Sequence, residues 1–176
     1  LKISEIKQVT PTSVAVTFEV PQALKTTFGF VAGQYITLNH TINGDQVRRA
    51  YSICSAPSSG VLTVGIKKVT EGIFSTYANE QLEVGDILEV MPPQGTFTLK
   101  SNSHEERHIA AFAAGSGITP ILSIAQTALE QESNSIFFLI YGNQNKQQAM
   151  FYDAIEQLRA QFPERFFVEY IYSRSQ

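Results

Sequence analysis

The stretch Ile109-Ala110-Ala111-Phe112-Ala113-Ala114-Gly115-Ser116-Gly117-Ile118-Thr119-Pro120 runs from an apolar segment through a glycine turn into residues that start helices. An apolar strand followed by Gly-Ser-Gly, then by Thr and Pro, reads as a strand–turn–helix unit, with Thr119 at the N-cap and Pro120 at the first helical position. Leu122 then takes the third position. With no capping-box carboxylate there, the first-turn N–H groups stay open to a ligand diphosphate.

Working toward the C-terminus, the helix extends from Thr119 to about Gln131. An apolar run Ile136–Tyr141, a helix from about Gln147 to Phe162 and a last run Phe166–Tyr172 follow. This β-α-β-α-β order predicts a parallel sheet covered on both faces, a partial doubly wound α/β domain with three strands where five or six are usual. Toward the N-terminus, the polar run Lys100–Arg107 reads as a linker, giving domains 1–101 and 107–176. Before it the period is two: Val14, Val16, Phe18 and Val20 alternate, Leu62, Val64 and Ile66 repeat the pattern, and Ile87–Val90 follows a Gly85-Asp86 turn. Regular glycine punctuation and about six short strands predict a closed, six-stranded antiparallel β-barrel.

The chain has 176 residues, 43% of them hydrophobic, with a formal charge of −3. It can build a core, has no apolar run long enough for a membrane-spanning helix, and lacks the basic stripe of nucleic-acid binders. The cytoplasm is the expected location. Cys54 is the single cysteine, which excludes an internal disulfide, a Cys-rich zinc site or an iron–sulfur cluster on this chain's own thiolates. His40, His104 and His108 show no ligand spacing, so no metal site is expected. NTPase, α/β-hydrolase and zincin motifs are absent.

Four groups of residues point to chemistry. In Arg49-Ala50-Tyr51-Ser52, a strand sets Arg49 and Tyr51 on one face about 6.6 Å apart, a cation and a ring suited to a ligand with a phosphate and a flat ring system. In Gly72-Ile73-Phe74-Ser75-Thr76, glycine allows close backbone approach and Ser75 or Thr76 can cap a short helix, whose N-terminus is an anion site. Gly142 and Asn143 stand at the carboxyl end of a predicted strand, where ligands of parallel sheets lie. Ser173 and Arg174 end the last strand with a hydroxyl and a guanidinium able to read a 2′-phosphate.

A small barrel with Arg-x-Tyr-Ser-x-x-Ser, then Gly-x-x-Ser-Thr, then Gly-Ser-Gly-Ile-Thr-Pro resembles the ferredoxin–NADP reductase superfamily. Within it, the wording around Gly72–Asn79 and Tyr141–Asn143 is most similar to reductase subunits that serve phenylacetyl-CoA oxygenases in phenylacetate degradation. The resemblance implies an FAD-dependent NAD(P)H oxidoreductase. Arg49 would lie on the FAD diphosphate, Tyr51 against the isoalloxazine ring and Ser52 near its N5. Because Ser52 faces away from Tyr51 in a regular strand, that role needs the strand to twist or end there. Ile66, Lys67 and Lys68 would line the flavin, with Gly72, Ser75 and Thr76 on its phosphates.

Gly115, Gly117, Thr119 and Pro120 would take NADPH or NADH, with Thr119 near the nicotinamide. Ser173 and Arg174 favour NADPH. Tyr51, Ser52 and Thr119 are the expected catalytic residues. The implied partners are an iron–sulfur domain or ferredoxin and a downstream oxygenase, the 2Fe-2S cluster lying in a part of the parent protein outside this sequence. The chain reads as a fragment lacking the C-terminal part of the nucleotide domain, expected to bind FAD and to bind NAD(P)H only weakly. The alternatives are a reductase module for another ferredoxin, haem protein or oxygenase, and a flavin-free scaffold domain.

Overall fold

The computed structural model describes residues 1–174; Ser175 and Gln176, the end of the 107–176 segment, lie outside the described residues. The first half holds β1 (Lys2–Thr10), β2 (Ser13–Glu19), β3 (Tyr35–Ile42), β4 (Asp45–Ser52), β5 (Leu62–Lys67), α1 (Ile73–Glu80) and β6 (Glu89–Val90). They form two antiparallel three-stranded sheets, β1-β2-β5 and β4-β3-β6. Single bridges, Ile53 to Val64 and Lys2 to Ile87, join the sheets at two seams, in place of one unbroken ladder. Val14, Val16 and Phe18 on β2 and Leu62, Val64 and Ile66 on β5 are buried in one core with Ile36 and Leu38, each worth about 1.5–3 kcal/mol against exposure. Val20 falls just past the end of β2. β6 is shorter than expected, and Ile87 is exposed. Asn43 and Gly44, both at positive φ, close the β3–β4 hairpin in a turn whose twist matches its strands.

The second half holds β7 (His108–Ala114), α2 (Ile118–Gln131), β8 (Ile136–Asn143), α3 (Tyr152–Gln161) and β9 (Phe166–Tyr172), with parallel strand order β7-β8-β9. Coverage on both faces is not observed. Ala111, Ala113, Phe137, Leu139, Tyr141 and Phe166 are buried under Ile121, Leu122, Ala125 and Leu129 of α2 and Ile155 and Leu158 of α3. On the opposite parity, Phe112, Phe138, Phe167 and Ile171 stay exposed among the described residues. The cause is topological: two right-handed crossovers between strands laid down in sequence place both helices on one side. The second helix also starts later than expected, at Tyr152, because Phe151 takes a left-handed conformation (φ 60, ψ 24).

α2 is apolar nearly all round because it lies between sheet and barrel: Ser123 donates to the Ser55 carbonyl (2.7 Å), and Ile124 faces Gly33. At the amino ends of the parallel strands two arginines act as clasps. Arg165 donates to the carbonyls of Leu129 (2.9 Å) and Glu132 (2.8 Å), closing the C-terminus of α2. Arg107 forms an ion pair with the fully buried Glu132 and also donates to the Lys100 carbonyl (3.0 Å). Residues 100–107 contain no strand or helix.

Candidate functional site

A cleft of about 350 Å³ opens where the barrel meets the glycine turn, lined by Arg49, Ala50, Tyr51, Ser52, Gly65, Lys67, Val69, Gly72, Phe74, Ser75, Ser116, Gly117, Thr119 and Pro120. Arg49 and Tyr51 share a face of β4 as the period of two requires. Ala50 and Ser52, on the opposite parity, also line the cleft, so it wraps the end of β4 rather than one face of it. A neighbouring depression shares Ser52 and Pro120 with it and adds Tyr35, Gly95 and Phe97, lengthening the trough. The largest depression, about 850 Å³ beside β9 and α3, shares no residue with the cleft, and its charged pair Glu156 and Arg159 is already satisfied internally.

The charges in the cleft are one-signed. Among its lining residues are two cations, Arg49 and Lys67, and no carboxylate. Arg49 spends one N–H on the Arg48 carbonyl (2.8 Å) and is otherwise exposed. Burial pushes the Tyr51 hydroxyl up to about 12 against the opposing pull of Arg49, so the residue is neutral at physiological pH. Its ring packs against Phe74 of α1, centroids 5.7 Å apart.

Other expected residues lie elsewhere. Ile66 is fully buried in the barrel core and Lys68 pairs with Glu80; neither they nor Thr76 lines the cleft. Ser75 is not a helix cap: its hydroxyl accepts from the Val69 N–H and donates to the Gly72 carbonyl (both 3.2 Å), closing the loop before α1. α1 therefore begins with no side-chain cap.

The start of α2 also differs from the expectation. Gly115–Gly117 wind into one 3-10 turn and the helix begins at Ile118, so Thr119 is inside the first turn rather than at the N-cap. Its hydroxyl donates back to the Ser116 carbonyl (3.0 Å) and Pro120 follows one position deeper. No side chain caps α2, but the Ile118 N–H already donates to the Gly115 and Ser116 carbonyls and Pro120 has no N–H, so the first-turn donors are not all open as the sequence predicts. Gly115 (φ 52) faces Lys67: a Cβ there would lie 3.6 Å from the Lys67 Nζ.

Gly142 and Asn143 end β8 beside the turn, Gly142 paired with Ala114. Ser173 and Arg174 continue the parallel pairing, their N–H groups donating to the Asn143 and Gln144 carbonyls (2.9 Å each). None of these four lines the cleft. Both polar atoms of the Asn143 side chain are buried with no hydrogen bond to them among the described residues, although the Tyr141 hydroxyl lies close enough to be influenced by that side chain; the position, at the carboxyl end of the sheet, suits a polar ligand.

The one-signed cleft with its aromatic wall and uncapped helix starts fits a flat molecule bearing a diphosphate, as FAD is. The glycine turn and the Asn143 amide fit a second nucleotide. Ala50, Gly65, Val69, Phe74 and Ser116 line the cleft but were not among the residues expected from the sequence. Only Gly65 carried a signal, as an isolated glycine inside a strand pattern, which marks close approach of another group.

Comparison with known proteins agrees with this geometry. Residues 1–99 match the oxidoreductase FAD-binding domain family, and residues 112–176 match the oxidoreductase NAD-binding domain family. The chain is 40% identical over 174 residues to a component of the 1,2-phenylacetyl-CoA epoxidase of Escherichia coli (strain K12), covering 99% of this chain and 49% of the relative. It is 33% identical to the ferredoxin reductase component of the 3-ketosteroid-9-alpha-monooxygenase of Rhodococcus rhodochrous, covering 96% and 47%. The chain thus spans about half the length of these curated relatives. Among solved structures, a ferredoxin-NADP+ reductase from Plasmodium falciparum superposes with a TM-score of 0.84 at 19% identity, over 99% of this chain and 71% of that one.

Proposed function

The chain belongs to the FAD- and NAD-binding oxidoreductases of ferredoxin reductase type, and from that premise we propose that it is the electron-entry module of an oxygenase system, possessing one half-site for FAD and one for NAD(P)H. The observation that carries this reading is the cleft itself, where the barrel's cations and aromatic wall confront the uncapped glycine turn with no carboxylate between them.

In this reading Arg49 would hold the FAD diphosphate by its charge and remaining N–H groups, and the start of α1 at Gly72 would add main-chain donors. Tyr51 supplies a neutral stacking face, and Ser52, at the strand end, a hydroxyl beside the ring. Lys67 adds a second positive charge. Across the cleft, Gly115–Gly117 and the start of α2 receive the reduced nucleotide, with Thr119 oriented by its bond to Ser116. Gly142, Asn143, Ser173 and Arg174 extend that half-site along the carboxyl edge of the sheet. When bound, the flavin supplies the ability to accept a hydride and release electrons singly. The protein's own contribution is positioning and the exclusion of water, which is why no acid–base pair is required.

The finer assignment is that electrons pass to an iron–sulfur domain or ferredoxin and then to an oxygenase acting on phenylacetyl-CoA. It rests on the names of the relatives above. The first test is the visible spectrum of the chain after incubation with FAD and desalting: a retained flavin band is expected, and a colourless product overturns the reading. Anaerobic bleaching by NADH or NADPH, with and without a 2Fe-2S acceptor, then tests the nucleotide half-site and the electron exit separately.

A further inference from the structure

Phe151 carries a side chain in a backbone conformation that costs energy for any residue with a Cβ. Such a conformation persists where the surrounding structure holds it, and the ring it carries meets the other half of the molecule at Gly65. Gly65, in the middle of β5, does not have a positive φ, so its backbone does not require glycine. A Cβ there would lie 2.7 Å from the Thr119 Cγ2 and 2.9 and 3.0 Å from the Phe151 ring. Barrel wall, Thr119 and Phe151 therefore touch at the distance only a bare Cα permits.

The corner carrying Phe151 is tied to the glycine turn as well. The buried Tyr141 hydroxyl donates to the Gly115 carbonyl (2.9 Å) and the Met150 carbonyl (3.3 Å), its one proton shared between them. Burial pushes its pKa up, so that proton is retained at physiological pH. Three residues before Phe151, Gln148 accepts a hydrogen bond from Thr12 of the barrel (3.1 Å). A displacement of this corner is thus transmitted to the turn by Tyr141 and to the barrel by Phe151 and Gln148.

We propose that Phe151 is a positioning residue: its ring, seated on Gly65, sets the width of the cleft between the barrel wall and the glycine turn. This rests on the reading of the cleft as two facing half-sites, and it adds what fixes their separation. A ring that merely filled space would lose stability in proportion to the atoms removed, with no particular effect on the turn.

Three variants separate these cases. Phe151→Leu keeps bulk, Phe151→Gly removes the ring and the left-handed strain together, and Gly65→Ala leaves Phe151 intact while pushing on both the Thr119 methyl and the Phe151 ring. Amide hydrogen exchange of the flavin-free chain is measured first, followed by FAD retention and the rate and KM of flavin reduction by NAD(P)H. In Phe151→Gly and Gly65→Ala, exchange across residues 115–119 is expected to accelerate by about tenfold while the strands far from the cleft keep their protection. FAD should be retained in Phe151→Gly, and its limiting reduction rate should fall by about tenfold to a hundredfold, the scale set by a displacement of about 1 Å. Phe151→Leu should recover most of both.

Unchanged exchange at 115–119 in Phe151→Gly overturns the proposal, as does a loss of protection spread evenly over the chain. If the unaltered chain is not reduced by either nucleotide, the reading of the cleft fails, while the exchange comparison still decides the role of Phe151.

Discussion

The barrel presents the cleft with side chains, whereas the parallel half presents it with main chain. Arg49, Tyr51, Ser52 and Lys67 reach it from strands β4 and β5. Opposite them stand Ser116, Gly117 and the start of α2, which no side chain caps. The two halves are also held differently: the antiparallel half packs its two sheets on a core of aliphatic residues with Phe18, Phe28 and Phe74, while the parallel half adds the arginine clasps at the amino ends of its strands, opposite the ligand end. Specificity written in side chains can be deleted one residue at a time. Specificity written in main chain is lost only by changing the backbone or its anchors.

The largest effect expected is on the clasp. Arg107→Ala leaves Glu132 buried and unpaired and should lower the stability of the parallel half by about 3 kcal/mol, measured by denaturant unfolding. FAD affinity of the barrel should be unchanged; an equal loss in both would mean that the halves are not held independently. The same pair sets an acid limit. Burial works to raise the Glu132 pKa, but the bonds from Arg107 and Ser135 outweigh it and hold the carboxyl below its usual value. A lowered folded-state pKa gives stability that is full above the unfolded value, near 4.5, and is lost as pH falls through the folded one. The Arg107→Ala variant should lose the acid-side slope this pair contributes between those two values.

Next in size is Arg49→Ala, expected to weaken FAD binding by about tenfold to a hundredfold, the range for a charge-assisted hydrogen bond. Apo stability should not change, since Arg49 is exposed and bonded only to its neighbour's carbonyl. A titration of flavin fluorescence checks it, and a fall in apo stability would recast Arg49 as part of the barrel wall. Smallest is Ser123→Ala, which removes the bond to the Ser55 carbonyl between the halves and should cost about 1 kcal/mol. Seen as a loss of cooperativity in thermal unfolding, it would sharpen the boundary between the two regions.

These differences explain what was legible in the sequence. The period of two on β2, β4 and β5 is written in side chains, so the barrel's core and the pairing of Arg49 with Tyr51 could be read directly. The glycine turn was legible as a motif, but not its winding: Thr119 looked like a cap because Ser/Thr before Pro usually caps, and the 3-10 turn at Gly115 moved it inside the helix. Phe151 gave no sign of its left-handed backbone or of its ring's seat on Gly65, far away in sequence and in a different half. The apolar runs of β7, β8 and β9 were taken to mean burial on both faces, yet hydrophobicity does not specify which face a crossover covers.

Cys54 has one further consequence. It is buried at the seam between β4 and β5, its S–H directed at the Thr63 carbonyl (3.4 Å), and burial pushes its pKa up to about 12. Thiolate, the reactive form, is therefore essentially absent in the folded barrel at neutral pH. Any modification by a disulfide reagent must await opening of the seam that also carries Ser52. The chain holds a built-in clock: the rate of thiol labelling reports how often the flavin wall breathes, and a ligand spanning β4 should slow it.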